Sequence, residues 1–193
     1  VRVFPHMGDG GLSAGAAAWA WRATRGQWPA PASDMGLGLA FDRPALERAA
    51  RQADLPWRWI AAPAREAAAR IARGEVVGWF AGRDEFGPRA LGRRSLLFSA
   101  RDARLGDEVN RRLGRDAFMP FGPLARAEDA DALWHAPAPG TDLSTMTVAV
   151  AARAQLRDPC PLAVHVDGSS RPQVVRQGDL PELHELLTRH HHA

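Results

Sequence analysis

The chain contains no lysine: all 25 of its basic residues are arginine. With abundant alanine, glycine and proline, that bias reads most simply as GC-rich coding. The acidic side is nearly as large, so the net charge is only +3, too small to argue for a nucleic-acid surface. Cysteine is almost absent. Cys160 stands alone, which excludes an internal disulfide and suits a reducing cytoplasm. No apolar run approaches the roughly 18 residues of a membrane-spanning helix, so no membrane partner is expected. No stretch reads as a signal peptide, and no internal repeat is visible. The first residue is Val1 and the last seven are LTRHHHA, so both ends read as cuts.

What is present suits an ordinary globular chain. It has 193 residues, 46% of them hydrophobic and 24% charged, enough for one good domain or one domain and a piece of another. The patterns predict a short strand at Val1–Phe4, a small-residue helix from Leu12 to Arg25, and Pro/Gly/Ser/Asp-rich loop chemistry from Gly26 to Asp42. Helices follow at Pro44–Ala53 and Pro63–Arg73, the second closed by Gly74, with a short strand between them at Trp57–Ala61. Strands are expected at Glu75–Ala81, with Val76, Val77, Trp79 and Phe80 in the core, and at Ser95–Ser99. A helix should begin at Asp102, a short one should cover Glu128–Trp134, and a last amphipathic one Leu180–Arg189. Further strands are expected at Thr145–Ala152 and Leu162–Val166, and Gln173–Val175 should continue extended after the DGSS turn. Intermixed strands and helices make the class α/β (α+β).

The densest chemistry lies in WFAGRDEFGPRALGRRS, residues 79–95. Arg83, Arg89, Arg93 and Arg94, with Arg101 just beyond, surround Gly82, Gly87, Pro88 and Gly92. Glycine permits tight turns and close approach, and arginine offers a planar fork suited to phosphate and carboxylate oxygens. The expectation is an anion-holding loop whose guanidinium groups converge on one cavity. A solvated turn with surface arginines is the plain alternative on composition alone. NRRLGRDAFMPFGP (Asn110–Pro123) adds Arg111, Arg112 and Arg115, with Phe118, Pro120, Phe121 and Pro123 either walling a base or packing. HVDGSSR (His165–Arg171) resembles a hairpin turn as much as a site. MGDGG (Met7–Gly11) puts Asp9 at a helix start, where it could bind a metal or act as an ordinary cap.

Together these blocks resemble the C-terminal part of the O-carbamoyltransferase family, which includes nodulation-factor and antibiotic-tailoring enzymes. GWFAGRDEFGPRALGRRSLLFSARD is similar to that family's GWF-x-GR-x-E-FGPRALG-x-RS block. NRRLGRDAFMPFGP resembles N-x-x-x-K-x-RE-x-FRPFAP, AVHVDGSSRPQVV resembles THVDGTARVQTV, and FPHMGDGGLSAGAAAWA resembles the stretch closing the preceding domain. The resemblance implies a tail of an actin/hexokinase-type domain at residues 1–30, a linker at 31–44, and a truncated YrdC-like domain at 45–193, a twisted mixed sheet around a basic cavity.

By that resemblance the C-terminal domain uses ATP, with Mg2+, and carbamoyl phosphate to form carbamoyl-adenylate. The missing N-terminal domain then passes the carbamoyl group to a hydroxyl-bearing small-molecule acceptor, with Fe2+ or a similar metal. Arg89 and Arg171 become the catalytic phosphate or carbamoyl contacts. Arg83, Ser95, Asn110, Arg115 and His165 become substrate or nucleotide contacts, and Asp9 a metal ligand. Four departures stand out. The family's K-x-R lysine has no counterpart, Met119 replaces the Arg of FRPFAP, and the NTSFN block and metal-binding histidines are missing. The alternative is therefore a degenerate, non-catalytic nucleotide-binding or regulatory module of the same fold. An RNA-binding YrdC-type protein is a third reading, against which the small net charge counts.

Overall fold

The computed structural model describes residues 4–30, 32, 34–116, 119 and 121–191. Three two-stranded ladders and seven α-helices occur among them, a mixed α/β arrangement. Two helices, α1 (Leu12–Arg25) and α2 (Arg43–Gln52), precede the packed body and contain no buried residue. The Asp42 side chain accepts from the Ala45 amide at 2.8 Å and Pro44 fills the first turn, so α2 starts where the sequence says a helix should.

The body begins with α3 (Pro63–Ala72), whose buried stripe is Ala64, Ala67, Ala68 and Ile71, a helical period with one apolar face. β1 (Val77–Phe80) pairs antiparallel with β2 (Arg94–Leu97), Val77 opposite Leu97 and Phe80 opposite Arg94. After α4 (Ala103–Leu113), β3 (Leu124–Arg126) runs parallel to β6 (Gln173–Val175), Leu124 opposite Gln173. Between them lie the short α5 (Ala130–Leu133), β4 (Val150–Ala151), α6 (Ala154–Arg157) and β5 (Ser169–Ser170), with Val150 opposite Ser170. The last helix, α7 (Pro181–His191), packs on α3.

Two apolar cores share β6 as their wall. Val175 joins α3, Trp79, Leu97, Leu183 and Leu186 in one. Val174 joins Ala125, Trp134, Val150, Leu156 and Ala163 in the other. Adjacent strand residues face opposite sides, so one three-residue strand serves both. Trp134 and Leu183 are fully buried, each worth about 1.5–3 kcal/mol relative to exposure. Trp134 also donates its indole N–H to the Ser170 hydroxyl.

Several expectations need correction. Only Trp79 of the proposed β1 core is buried, while Val76 and Phe80 are exposed. A two-stranded ladder covered by α3 on one face buries alternate residues, not a continuous run. Thr145–Ala152 contributes only Val150–Ala151 to a ladder, because Met146 turns the chain with φ 54. Leu162–Val166 is not a strand: Pro161–Ala163 forms a 3-10 turn led by its proline. Trp57–Ala61 finds no strand partner. Trp57 and Trp59 lie instead beneath Arg51 and Arg43 of α2, and Trp59 donates to Glu47 at 2.9 Å. Most of the strand expected at Val1–Phe4 falls outside the described residues, as do Phe118 and Pro120; Phe4 itself is not in a strand. No described helix is long and apolar enough to cross a membrane.

Candidate functional site

The loop from Ala81 to Arg93 closes the β1–β2 hairpin, its base tied by the Ala81 amide donating to the Arg93 carbonyl at 2.9 Å. Its amides do hold an anion, and that anion is the loop's own. Glu85 Oε1 accepts from the backbone N–H of Leu91 (2.8 Å), Arg93 (2.8 Å) and Arg94 (3.0 Å). Three convergent amides make a concave nest with a fixed partial positive charge, and a carboxylate six residues upstream fills it. Gly92 sits inside this turn with φ 81, and a Cβ there would lie 2.2 Å from Leu183 Cδ2. Both the left-handed backbone and the contact with buried Leu183 make any other residue strained there.

The guanidinium groups expected to converge are instead distributed. Arg83 donates to the carbonyls of Gly38 and Leu37 at 2.9 and 3.1 Å. Arg93 pairs with Asp34 at 2.6 Å. Arg94 pairs with Asp84 at 2.6 Å, donates to the Ala81 and Gly82 carbonyls, and lies 3.5 Å over the Phe80 ring. Arg83 and Arg93 fasten the segment Asp34–Leu39 to the loop, helped by backbone bonds such as Phe86 N–H to the Met35 carbonyl at 2.7 Å, while Arg94 braces the loop from within.

Arg89 differs. It is partly buried, donates to the Pro5 carbonyl at 3.1 Å, and has no carboxylate partner among the described residues. Burial first, then the nearby charge of Arg171, holds its guanidinium below the ordinary arginine range. Arg171 is exposed and likewise has no described carboxylate partner. Two cations from blocks 82 positions apart in the sequence therefore feel each other's charge, with no carboxylate paired to either among the described residues.

The three sequence blocks meet around β3 and β6. Gln173 donates its Nε2 to the Leu91 carbonyl at 2.8 Å, which links the FGPRALG loop to the HVDGSSR strand. The Gln173 amide donates to the Pro123 carbonyl at 2.8 Å, which links in the MPFGP segment. Arg115 donates to Asn110 Oδ1 at 2.9 Å and lies 4.7 Å from the Phe121 ring centre. Phe121 meets Phe98 edge-on at 5.0 Å, and a Cβ on the adjacent Gly122 would come within 3.5 Å of the Arg171 carbonyl.

The other candidates have local roles here. Ser95 Oγ accepts from the Gly92 amide at 3.0 Å. His165 donates its backbone N–H to the Ser169 carbonyl at 2.7 Å and sits 3.4 Å from Asp167 in the turn. Asp9 is exposed on the 3-10 turn Asp9–Gly11, and no group of three His, Cys, Asp or Glu side chains that could hold a metal stands together among the described residues.

An open cleft of about 1180 Å3 runs beside these blocks, between the N-terminal segment and β6, with Pro5, His6, Leu91, Thr145, Gln173 and Arg176 in its walls. Arg89 touches it only through Pro5. Gln173 is the residue that reading by sequence missed. It lies inside the quoted SSRPQVV block, and a polar residue between Pro172 and the two core valines was the available signal.

Residues 68–193 match the family described as carbamoyltransferase C-terminus. The chain is 34% identical over 190 residues to nodulation protein U of Azorhizobium caulinodans, covering 98% of this chain and 32% of that one. It is 37% identical over 135 residues to the 3'-hydroxymethylcephem-O-carbamoyltransferase of Streptomyces clavuligerus, covering 69% of this chain and 25% of that one. The chain spans about a third of the length of the curated relatives it matches along nearly its whole length. By these matches and the three blocks assembled around β6, the chain belongs to the carbamoyltransferase family and carries its C-terminus.

Proposed function

We propose that this chain is the part of an O-carbamoyltransferase that binds carbamoyl phosphate and ATP and forms carbamoyl-adenylate, within a YrdC-like domain of a longer protein. The observation that carries the reading is the Arg89–Arg171 pair. Two guanidiniums that feel each other's charge, one partly buried and neither with a described carboxylate, favour an anionic ligand between them.

In this reading the two arginines neutralise phosphate oxygens while carbamoyl phosphate loses phosphate to water and leaves carbamate. The carbamate oxygen attacks the α-phosphorus of ATP, the bond to pyrophosphate breaks, and pyrophosphate departs. The chain's contribution is positioning and charge stabilisation. Arg115, stacked at Phe121 and held by Asn110, is assigned to the nucleotide side; Arg83, Ser95 and His165 shape the surrounding loops. The acceptor hydroxyl then attacks the carbamoyl carbon and AMP leaves, in the larger N-terminal domain. Asp9, a lone exposed carboxylate in this chain, does not make a metal site by itself. In the longer protein it would give one ligand to a divalent metal completed by residues from elsewhere.

The test is carbamoyl-phosphate-dependent exchange of pyrophosphate into ATP by the full-length protein. Arg89→Ala should abolish exchange, and exchange at the wild-type rate would remove the arginine pair from the mechanism. The absence of lysine and the internal partners of Arg83, Arg93 and Arg94 favour, as a second reading, a non-catalytic nucleotide-binding module. ATP binding without exchange would select it.

A further inference from the structure

The helix α1 is apolar nearly all the way round: from Leu12 to Trp21 its only polar side chain is Ser13. A helix of that kind is ordinarily buried on every side. Here no residue of α1 is buried, and Leu12 and Trp19 are 71% and 66% exposed. Ala14 and Ala18 are half-buried where they line the open cleft. Ala16 and Ala20 lie two residues further on, hence on the opposite side of the helix, and both are exposed. Arg22 and Arg25 cover Trp28 and Trp21 at the last turn but leave the earlier turns bare. Fourteen residues without tertiary packing make a marginal helix in water, so α1 needs an apolar cover that the described residues do not supply. The other unburied helix, α2, differs. It carries Arg43, Arg48 and Arg51 exposed, a solvated surface that needs no cover.

Two observations point to what covers it. Phe4, Pro5, His6 and Met7 lead into α1 and line the same cleft. A segment joined ahead of Val1 is therefore at most about 11 Å of chain from Phe4, and it meets α1 at the high effective concentration of a short tether. The chain also spans only about a third of the length of its relatives while matching the family's C-terminus, so such a segment has the bulk to cover a helix. We propose that α1 is a docking helix for the part of the protein that precedes this chain, received through the side that carries Ala16 and Ala20 by an uncharged apolar surface. A charge placed against those alanines would be desolvated with nothing to pair it. The proposal rests on the longer protein of the function proposed above, and adds where the two parts meet.

Amide hydrogen exchange over Leu12–Arg25, compared between the 193-residue chain and the full-length protein, tests this. These amides should exchange about tenfold or more slowly in the full-length protein; equal rates in the two overturn the proposal. Slow exchange already present in the 193-residue chain, and growing with its concentration, assigns the cover to a second copy and overturns it as well. The double variant Ala16→Glu with Ala20→Lys places an i,i+4 pair that supports a helix on its own. It should leave the urea midpoint of the 193-residue chain unchanged and return α1 of the full-length protein to the fast rate. Slow amides retained in that variant overturn the proposal. Should the full-length variant not fold, the wild-type comparison still decides. Turnover of pyrophosphate into ATP by the same full-length protein reports on the catalytic reading separately. Slow α1 amides without that turnover leave the docking standing and remove the catalysis, and turnover with fast α1 amides does the reverse.

Discussion

The two ends of this chain use aromatic residues in opposite ways. In the body, Trp79 and Trp134 are buried, and Trp134 anchors a core and a hydrogen bond at once. In the first 60 residues Trp19, Trp21, Trp28, Trp57 and Trp59 are all at least 39% exposed, and Met35 is the one buried hydrophobic residue described there. Several of these rings are covered by arginine instead: Arg22 over Trp28, Arg25 over Trp21, Arg43 over Trp59. The same residue type is core in one region and a cation-covered surface in the other. What separates them is whether a second apolar layer exists to bury the ring. The body supplies that layer through α3, α7 and the ladders, and the N-terminal region is tied down through Asp34–Leu39 and Pro5 instead.

The largest test of that contrast compares two tryptophans. Trp134→Ala should cost about 3–5 kcal/mol and Trp21→Ala less than about 0.5 kcal/mol, measured by urea unfolding. Similar losses for both would erase the distinction. Gly92→Val should cost about 3 kcal/mol or more, since it forces a β-branched residue to φ 81 against Leu183. It should also loosen Arg89 by distorting the loop. Glu85→Ala leaves three loop amides without their acceptor and should cost about 1–3 kcal/mol, with Glu85→Gln losing about half as much. Loss of protection from hydrogen exchange should then be confined to Leu91, Arg93 and Arg94.

The smallest expected effect is on pH dependence within the body. The hydrogen bonds from Arg126, aided by its charge and those of His191 and His184, hold the Asp129 carboxyl below its ordinary range. Because the folded value is depressed, this stabilisation is complete above the unfolded value near 4 and fades as pH falls through the folded one. Asp129→Asn should flatten the acid limb of the stability curve and leave the neutral region's slope unchanged. An identical acid limb in both proteins would show that the pair contributes nothing.

Much of the helical framework was legible because its signals are local. Pro63 and Gly74 bound α3, Asp102 caps α4 by accepting from the Arg104 amide at 3.0 Å, and Gly114 closes it with φ 61. The ladders were less legible because pairing is a property of two distant segments. TMTVAVAA alternates convincingly, yet only Val150 and Ala151 join a ladder, with Ala152 adding a single bridge to Trp134. In the site, the resemblance named Arg89 and Arg171 from the FGPRALG and HVDGSSR blocks, and the structure links those blocks through Gln173 Nε2 donating to the Leu91 carbonyl. Composition could not tell which arginines were already engaged: Arg83, Arg93 and Arg94 find acceptors in a segment some 45 to 60 positions away, at Gly38 and Asp34, or within their own loop. Nor could it reveal that Glu85 supplies the anion of its own loop, since that needs the turn to exist first.

The brevity of β6 has a last consequence. Gln173, Val174 and Val175 point alternately, so a slip of one register position against β3 would carry each valine into the wrong hydrophobic layer and swing the carboxamide off the Leu91 carbonyl. Both hydrophobic cores and the tie to the FGPRALG loop are thus written into the same three side chains.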